Sequence, residues 1–126
     1  MLRSLVGSEM CKETDTVCLK ASLSIFEEAG IQNLRSKSIA LTGYLAYLLE
    51  QLSALSFTLI TPSDPNQRGA QLCLFFEEKG KEIYQKMKDH GIVVDYREPG
   101  VIRVAPAPLY CSFEDVYRFY EILKSF

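Results

Sequence analysis

The sequence predicts an α+β domain in which about four strands form one open sheet and helices pack on one face of it. Four stretches carry apolar residues every three or four positions, a spacing typical of amphipathic helices. Shorter β-branched and aromatic runs lie between them and are separated by Pro, Gly, Asn and Asp. The order is ααββαββα, and a chain of 126 residues, 48% hydrophobic, fits one core.

The first two predicted helices cover residues 14–29 and about 33–52. Thr14 is a plausible N-cap for the first helix, and Gly30 is placed to end it in a left-handed turn. The second helix is expected to supply much of the core. Three residues form the apolar stripe of the first helix and five that of the second: Leu19, Leu23 and Phe26, then Leu34, Leu41, Leu45, Leu48 and Leu52.

Strands are predicted in two neighbouring pairs on either side of a third helix. Residues 57–61 and 71–76 form the first pair, and a loop rich in Pro and Gly separates them. The third helix covers residues 79–90 and stops at Gly91. Residues 92–96 and 101–105 form the second pair, around a turn with hairpin-like chemistry.

A fourth helix is predicted to open at Ser112, because Asp115 follows three residues later in a variant of the capping box. The apolar face of this helix is expected to pack on the sheet. Its members are Phe113, Val116, Tyr117, Tyr120 and Leu123.

Charge and composition argue against several classes of function. The 14 basic and 16 acidic residues are interspersed, giving a formal charge of -2, so nucleic-acid binding is disfavoured. The four cysteines form no C-x-x-C pair, and the one histidine is His90. This pattern predicts neither a zinc site nor a Cys/His nucleophile. Free thiols in a reducing cytoplasm are the simplest interpretation, with a disulfide framework as the alternative.

A membrane span is also disfavoured. The stretch 39–61 is apolar, but Glu50 and Gln51 lie at its middle, where the bilayer would penalise the charge by about 3 kcal/mol. The N-terminal residues lack the long apolar run of a secretory signal.

Arg103 is the main candidate site residue. It lies between Ile102 and Val104 in an apolar strand that must stop at Pro106. One interpretation is structural: the side chain points to solvent or pairs with Asp95 or Glu98. The other is functional, because a planar guanidinium at a strand end binds a carboxylate through two charge-assisted hydrogen bonds.

Other polar residues have ordinary structural explanations. Pro106 and Pro108 stiffen the connection that carries Tyr110 and Cys111, which either orients a ligand group or leads into the Ser112 cap. His90 is expected to cap a helix C-terminus. The Arg68–Gly69 pair reads as a turn, and Glu114, Asp115 and Glu121 suit capping and solubility. All eight lysines look like surface charges.

Three segments give the chain a family resemblance: LRSKSIALTGYLAYLLEQ, ITPSDPNQRGAQL and, above all, GIVVDYREPGVIRVAPAPLYCSFEDVYRF. They resemble the C-terminal third of kynureninases, from about Thr16 to the end. The last segment is long and specific, unlike a generic proline-rich turn. The resemblance implies a domain at residues 16–126 and a non-matching start at residues 1–15, which is also a candidate for disorder.

The resemblance implies the small C-terminal domain of a fold-type-I pyridoxal 5'-phosphate enzyme, cytoplasmic and homodimeric when complete. Such an enzyme cleaves kynurenine or 3-hydroxykynurenine to anthranilate or 3-hydroxyanthranilate plus alanine, in tryptophan catabolism and NAD biosynthesis. Arg103 would bind the substrate α-carboxylate, and its interpretation therefore shifts towards function. No catalytic, cofactor-binding or metal residue is carried over to this chain.

The chain departs from the family pattern because the segment with the cofactor lysine is absent from it. We therefore expect a fragment that is inactive alone. A stand-alone amino-acid-binding regulatory module, with Arg103 gripping a ligand carboxylate, is the alternative. A third possibility is an interaction domain whose apolar stripes bind a partner.

Overall fold

The computed structural model describes the backbone of residues 2–126 and the side chains from residue 12 onward. The chain divides into two compact units, Met1–Leu34 and Arg35–Phe126. No helix within residues 2–126 is both long and apolar enough to cross a bilayer. The elements are α1 (Leu2–Ala29), α2 (Ile31–Glu50), β1 (Thr58–Leu59), β2 (Leu72–Phe75), α3 (Gly80–Asp89), β3 (Asp95–Arg97), β4 (Val101–Val104) and α4 (Phe113–Lys124).

In the first unit, α1 begins well before the predicted start, so the assignment of Thr14 as N-cap was wrong. Thr14 lies inside the helix, and the nearby Thr16 hydroxyl donates 2.7 Å to the carbonyl of Lys12, one turn back. Gly30 ends the helix with φ +78°, as predicted. The predicted stripe is exposed rather than buried, together with two other apolar side chains: Val17, Leu19, Leu23, Ile25 and Phe26.

The status of residues 1–15 as a separate, non-matching start stays a prediction. The backbone of residues 2–15 is helical, whereas Met1 and the side chains of residues 2–11 lie outside the described part of the chain.

The second unit contains the predicted four-stranded sheet, in the order β1-β2-β4-β3 with every neighbouring pair antiparallel. The central pair β2–β4 is in register from Leu72 opposite Val104 to Phe75 opposite Val101. β3 begins at Asp95 rather than Ile92 and forms a hairpin with β4, in which Asp95 lies opposite Arg103. The hairpin predicted from the turn chemistry is therefore confirmed.

The core lies between one face of this sheet and helices α2, α3 and α4. Leu72, Leu74 and Ile102 from the sheet are completely buried, and so are Ile83 and Met87 from α3. Of the stripe predicted for α2, Leu34, Leu41, Leu45 and Leu48 are buried. Leu52 is partly buried against the core, and Leu49, which was not predicted, is buried as well.

The caps predicted at the end of α3 and the start of α4 are confirmed. Ser112 and Asp115 form the complete capping box of α4, in which the Ser112 hydroxyl accepts from the Asp115 amide and the Asp115 carboxylate accepts from the Ser112 amide. His90 caps α3, its ring Nδ1 donating 2.8 Å to the Lys86 carbonyl, and Gly91 follows with φ +72°.

The apolar face predicted for α4 is confirmed at three of its five members, Val116, Tyr120 and Leu123, and wrong at the other two. Phe113 and Tyr117 are exposed, and the buried face consists of Val116, Phe119, Tyr120 and Leu123. The prediction counted Phe113 and Tyr117 as core residues and left out Phe119.

The β3–β4 turn is joined to β2 by a close backbone approach at Gly100. The Phe76 amide donates 2.9 Å to the Gly100 carbonyl. A Cβ at position 100 would lie 2.2 Å from the Phe76 carbonyl oxygen, closer than any side chain can approach. Only glycine therefore fits there, and this contact fixes the hairpin that carries Arg103.

We predict that Gly100→Ala destabilises the domain by more than about 2 kcal/mol, because the Phe76 and Gly100 backbones must separate to admit the methyl group. Urea unfolding of both proteins measures the difference. Gly43→Ala is the matched control: it has open space within 4 Å inside α2, and it should stabilise by about 1 kcal/mol through helix propensity. Equal stability of Gly100→Ala and the unaltered chain would contradict the steric argument.

Candidate functional site

Arg103 lies on the face of the sheet opposite α2, α3 and α4. Its neighbours Ile102 and Val104 are buried in the core, and strand alternation sends the residue between them to the other face. The Arg103 side chain is 34% exposed there. The strand geometry therefore presents a guanidinium outside the apolar core, within reach of solvent.

The residues beside Arg103 are set by the strand register. Cys73 on β2 and Asp95 on β3 are its Cα partners, so the three form one row across the sheet. Arg97 is two residues beyond Asp95 and shares its face. Asp95 is one of the two partners predicted for Arg103, whereas Arg97 was not predicted, although the period-two spacing of Asp95 and Arg97 indicates a shared face.

One carboxylate oxygen of Asp95 contacts both arginines. Asp95 Oδ2 accepts from Arg97 Nε at 2.9 Å and from Arg103 Nε at 2.5 Å, and Arg103 Nη2 contacts the same oxygen. The predicted alternative partner Glu98 instead accepts from the Tyr96 hydroxyl at 3.2 Å. We call Asp95, Arg97 and Arg103 the arginine–aspartate cluster.

The cluster holds Asp95 in its ionised form. The hydrogen bond from Arg97 is the largest cause that lowers the pKa of Asp95 below the ordinary value of 3.8. The hydrogen bond and charge of Arg103 lower it further, and partial desolvation of the carboxylate opposes both. Two guanidiniums and one carboxylate leave the cluster with one unmatched positive charge, which suits an anionic ligand.

The segment after β4 is ordered by its own backbone. The carbonyl of Ala107 accepts from the amides of Tyr110 and Cys111, at 3.1 and 2.8 Å, before the chain enters α4. Tyr110 is exposed and Cys111 is half-buried. The expectation that this segment positions a ligand group stays untested.

An apolar groove of about 340 Å³ lies on the helix side of the sheet rather than beside Arg103. Val104 lines it, and Val104 points away from the arginine–aspartate cluster. Further lining comes from Ile92, Val94, Val116 and Phe119. The groove and the arginine–aspartate cluster are thus on different faces of the sheet.

Arg68 has a structural role in the loop between β1 and β2. Its Nη1 donates 3.2 Å to the Pro62 carbonyl. Arg35 from α2 donates to the carbonyls of Pro65 and Arg68, at 2.5 and 3.3 Å, and so holds the same loop. The predicted turn at Arg68–Gly69 is not observed, because Arg68 is extended (φ -140°, ψ 159°) directly after a short 3-10 helix at Pro65–Gln67.

Among the side chains described from residue 12 onward, the other titratable residues form no further cluster that suits a ligand or a metal. Cys18, Cys73 and Cys111 are free thiols, and no group of three metal-ligating side chains occurs among the described residues. The lysines from residue 12 onward lie on the surface, and the half-buried Lys86 donates 2.8 Å to the Ser125 hydroxyl. Asp115 serves its cap, where the Ser112 amide chiefly lowers the pKa of its carboxyl.

Comparison with known proteins gives a consistent result. The family model described as the kynureninase C-terminal domain matches residues 34–123. The chain is 50% identical over 101 residues to a kynureninase of Koribacter versatilis, covering 80% of this chain and 24% of that protein.

Two further relatives agree with this match. A kynureninase of Christiangramia forsetii is 47% identical over 107 residues, which cover 82% of this chain and 25% of that protein. Kynureninase 2 of Emericella nidulans is 48% identical over 116 residues, which cover 89% of this chain and 24% of the relative. The chain therefore spans about a quarter of the length of the curated relatives it matches.

We predict that Arg97→Gln raises the pKa of Asp95 towards 3.8, because the largest cause of its depression is removed. Since the folded pKa is depressed, the stabilisation from this carboxylate is present above about pH 3.8 and is lost as the pH falls below it. Titration of the Asp95 carboxyl carbon by NMR measures the change, with Arg118→Gln on α4 as the control. An unmoved Asp95 pKa in Arg97→Gln would contradict the assignment.

Proposed function

Because this chain belongs to the kynureninase family, whose C-terminal domain model it matches over residues 34–123, we propose that it is the small domain of a kynureninase and that Arg103 binds the substrate α-carboxylate. The complete enzyme would hydrolyse kynurenine or 3-hydroxykynurenine, giving anthranilate or its 3-hydroxy form plus alanine. It would act in tryptophan catabolism and NAD biosynthesis, as a cytoplasmic homodimer.

The observation that carries the proposal is the placement of Arg103. A guanidinium on the open sheet face, one-third exposed and set in a cluster with an unmatched positive charge, suits a carboxylate ligand. Arg103 also lies inside the segment that the family model matches. The local geometry and the family match therefore support the same role.

The contribution of Arg103 to catalysis would be orientation. A carboxylate held by two parallel N–H···O bonds cannot rotate about a single contact, so the rest of the substrate is fixed relative to the protein. Arg103 takes no proton in this role, because a guanidinium stays charged at any functional pH. The bond-breaking groups would come from outside this chain.

Pyridoxal 5'-phosphate is the cofactor that the family implies, and it would act as the electron sink for the reaction. The described residues do not fit the site for it. A lysine that binds this cofactor requires a sheltered amine, whereas the described lysines are exposed or, at Lys86, hydrogen-bonded to a serine. We therefore propose that the cofactor is held elsewhere in the complete enzyme and that this chain is inactive alone.

The other two candidate functions gain no support. The family model and the relatives named above all carry the kynureninase name, and none of them is described as a regulatory or interaction module. The stand-alone amino-acid sensor and the interaction domain are therefore set aside in favour of the enzyme domain.

We predict that the purified 126-residue chain, mixed with pyridoxal 5'-phosphate, gives no stable imine absorption band and no hydrolysis of kynurenine, because its lysines lie at the surface. A full-length kynureninase from Koribacter versatilis in parallel provides the positive control. A stable band with turnover would mean that a lysine of this chain binds the cofactor. It would contradict the proposal that the cofactor is held elsewhere in the complete enzyme.

The role of Arg103 is tested in a hybrid enzyme in which residues 34–123 replace the matching part of the Koribacter versatilis kynureninase. We predict that Arg103→Ala lowers kcat/KM for kynurenine by about thirtyfold or more, because removing one partner of a hydrogen-bonded charge pair costs about 2–5 kcal/mol. Anthranilate fluorescence follows the reaction.

Arg118→Ala, at an exposed arginine on α4, is the matched control and should keep the activity of the hybrid. If Arg103→Ala retained full activity in a folded, active hybrid, Arg103 would not bind the substrate carboxylate.

A further inference from the structure

We infer that Asp95 is a positioning residue for the carboxylate-binding arginine: it holds the Nε side of the Arg103 guanidinium and leaves the Nη1–Nη2 edge for the substrate. The inference rests on the proposed function, because it assigns a role to the neighbour of Arg103 within the same site. It adds a residue that the substrate itself does not touch.

The geometry of the Arg103 guanidinium leaves one of its two carboxylate-binding edges available. An arginine has two edges that each bind a carboxylate, one formed by Nε and Nη2 and the other by Nη1 and Nη2. Asp95 Oδ2 occupies the first edge, since it contacts both Arg103 Nε, at 2.5 Å, and Nη2. Nη1 makes no hydrogen bond to any described residue, so the second edge stays available.

The strand register places Asp95 beside Arg103 before any substrate binds. Asp95 and Arg103 are direct Cα partners on β3 and β4, so the backbone sets their separation. A long arginine side chain held at one edge loses its rotamer freedom during folding rather than on substrate binding. Asp95 therefore prepares Arg103 for its ligand.

Arg97 gives the arginine–aspartate cluster a net positive charge. A lone pair of Arg103 and Asp95 would be neutral and would offer little attraction to another carboxylate. Arg97 shares the same Asp95 oxygen at 2.9 Å and supplies a second guanidinium. The cluster can therefore hold Asp95 beside Arg103 and still carry one positive charge for the substrate.

If Asp95 competed with the substrate for Arg103, the effect of removing Asp95 on substrate binding would have the opposite sign. If Asp95 stood in for the substrate carboxylate and had to be displaced, its removal would strengthen substrate binding. Loss of its negative charge would act in the same direction, because the potential at Arg103 would rise. If removal of Asp95 weakens the binding of substrate but not that of an analogue without the carboxylate, the cause is thus lost geometry at Arg103.

The experiment is Asp95→Asn in the hybrid enzyme, compared with Asp89→Asn, which removes the same charge at an exposed position on α3. We expect KM for kynurenine to rise about tenfold in Asp95→Asn with kcat little changed, and both constants to stay unchanged in Asp89→Asn. Inhibition by the decarboxylated analogue of kynurenine should be equal in all three proteins, since it lacks the group that Arg103 binds.

A fall in KM would overturn the inference in favour of the displaced stand-in. Equal weakening of kynurenine and of its decarboxylated analogue would overturn it in favour of a structural role. The two proposals fail differently: unaffected activity in Arg103→Ala defeats the proposed function, whereas a damaged Arg103→Ala beside an unaffected Asp95→Asn defeats the positioning role alone.

A second measurement on the 126-residue chain does not depend on the hybrid. With ¹⁵N-labelled arginine, propionate is titrated while the Arg103 Nε–Hε and Nη signals are followed by NMR. We expect propionate to move the Nη signals and leave Nε in place, and to move Nε as well in Asp95→Asn. Movement of the Nε signal in the unaltered chain would mean that the ligand displaces Asp95, and would overturn the inference.

Discussion

The burial of one sheet face is the constraint on which the rest of the structure depends. Ile102 and Val104 on β4 are enclosed by the helices, and each such side chain contributes about 1.5–3 kcal/mol by leaving water. A register shift by one residue would expose both and bury Arg103, whose charge would lose its water. The hydrophobic effect thus decides the direction of the functional side chain, without any contact that acts on Arg103 directly.

The same constraint explains why Asp95 and Arg97 join Arg103. Once β4 is oriented, antiparallel pairing sets Asp95 opposite Arg103, and the period of two returns Arg97 to the same face. The close approach of Gly100 to Phe76 then fixes the hairpin against β2. Core packing, strand pairing and one glycine contact together build the cluster.

The sequence was informative where local chemistry decides the structure and less so where tertiary contacts do. The Ser112–Asp115 capping box and the Gly30 and Gly91 stops are local signals, and all of them are observed. The start of α1 was wrong because Thr14 was taken as a cap when the preceding residues contain no proline to stop a helix from continuing. The face of α4 was misjudged because the periodic pattern does not distinguish Phe119 from Tyr117.

The candidate site also has one residue that the local sequence predicts and others that depend on tertiary contacts. Arg103 stood out because a charge in an apolar strand requires a reason, but its partners depend on register, which the sequence does not encode locally. The loop chemistry predicted a hairpin, and only the observed pairing brings Arg97 and Arg103 to one oxygen of Asp95.

The arrangement also explains why arginine, rather than lysine, suits position 103. The proposed role asks one cation to bind two carboxylates at once, Asp95 within the domain and the substrate from outside. A guanidinium offers two separate planar edges for this, whereas an ammonium is a point charge on which two carboxylates compete. Lysine at position 103 would keep the positive charge and lose the geometry. The fork of Arg103 is therefore the feature that allows preorganisation and ligand binding to coexist in one side chain.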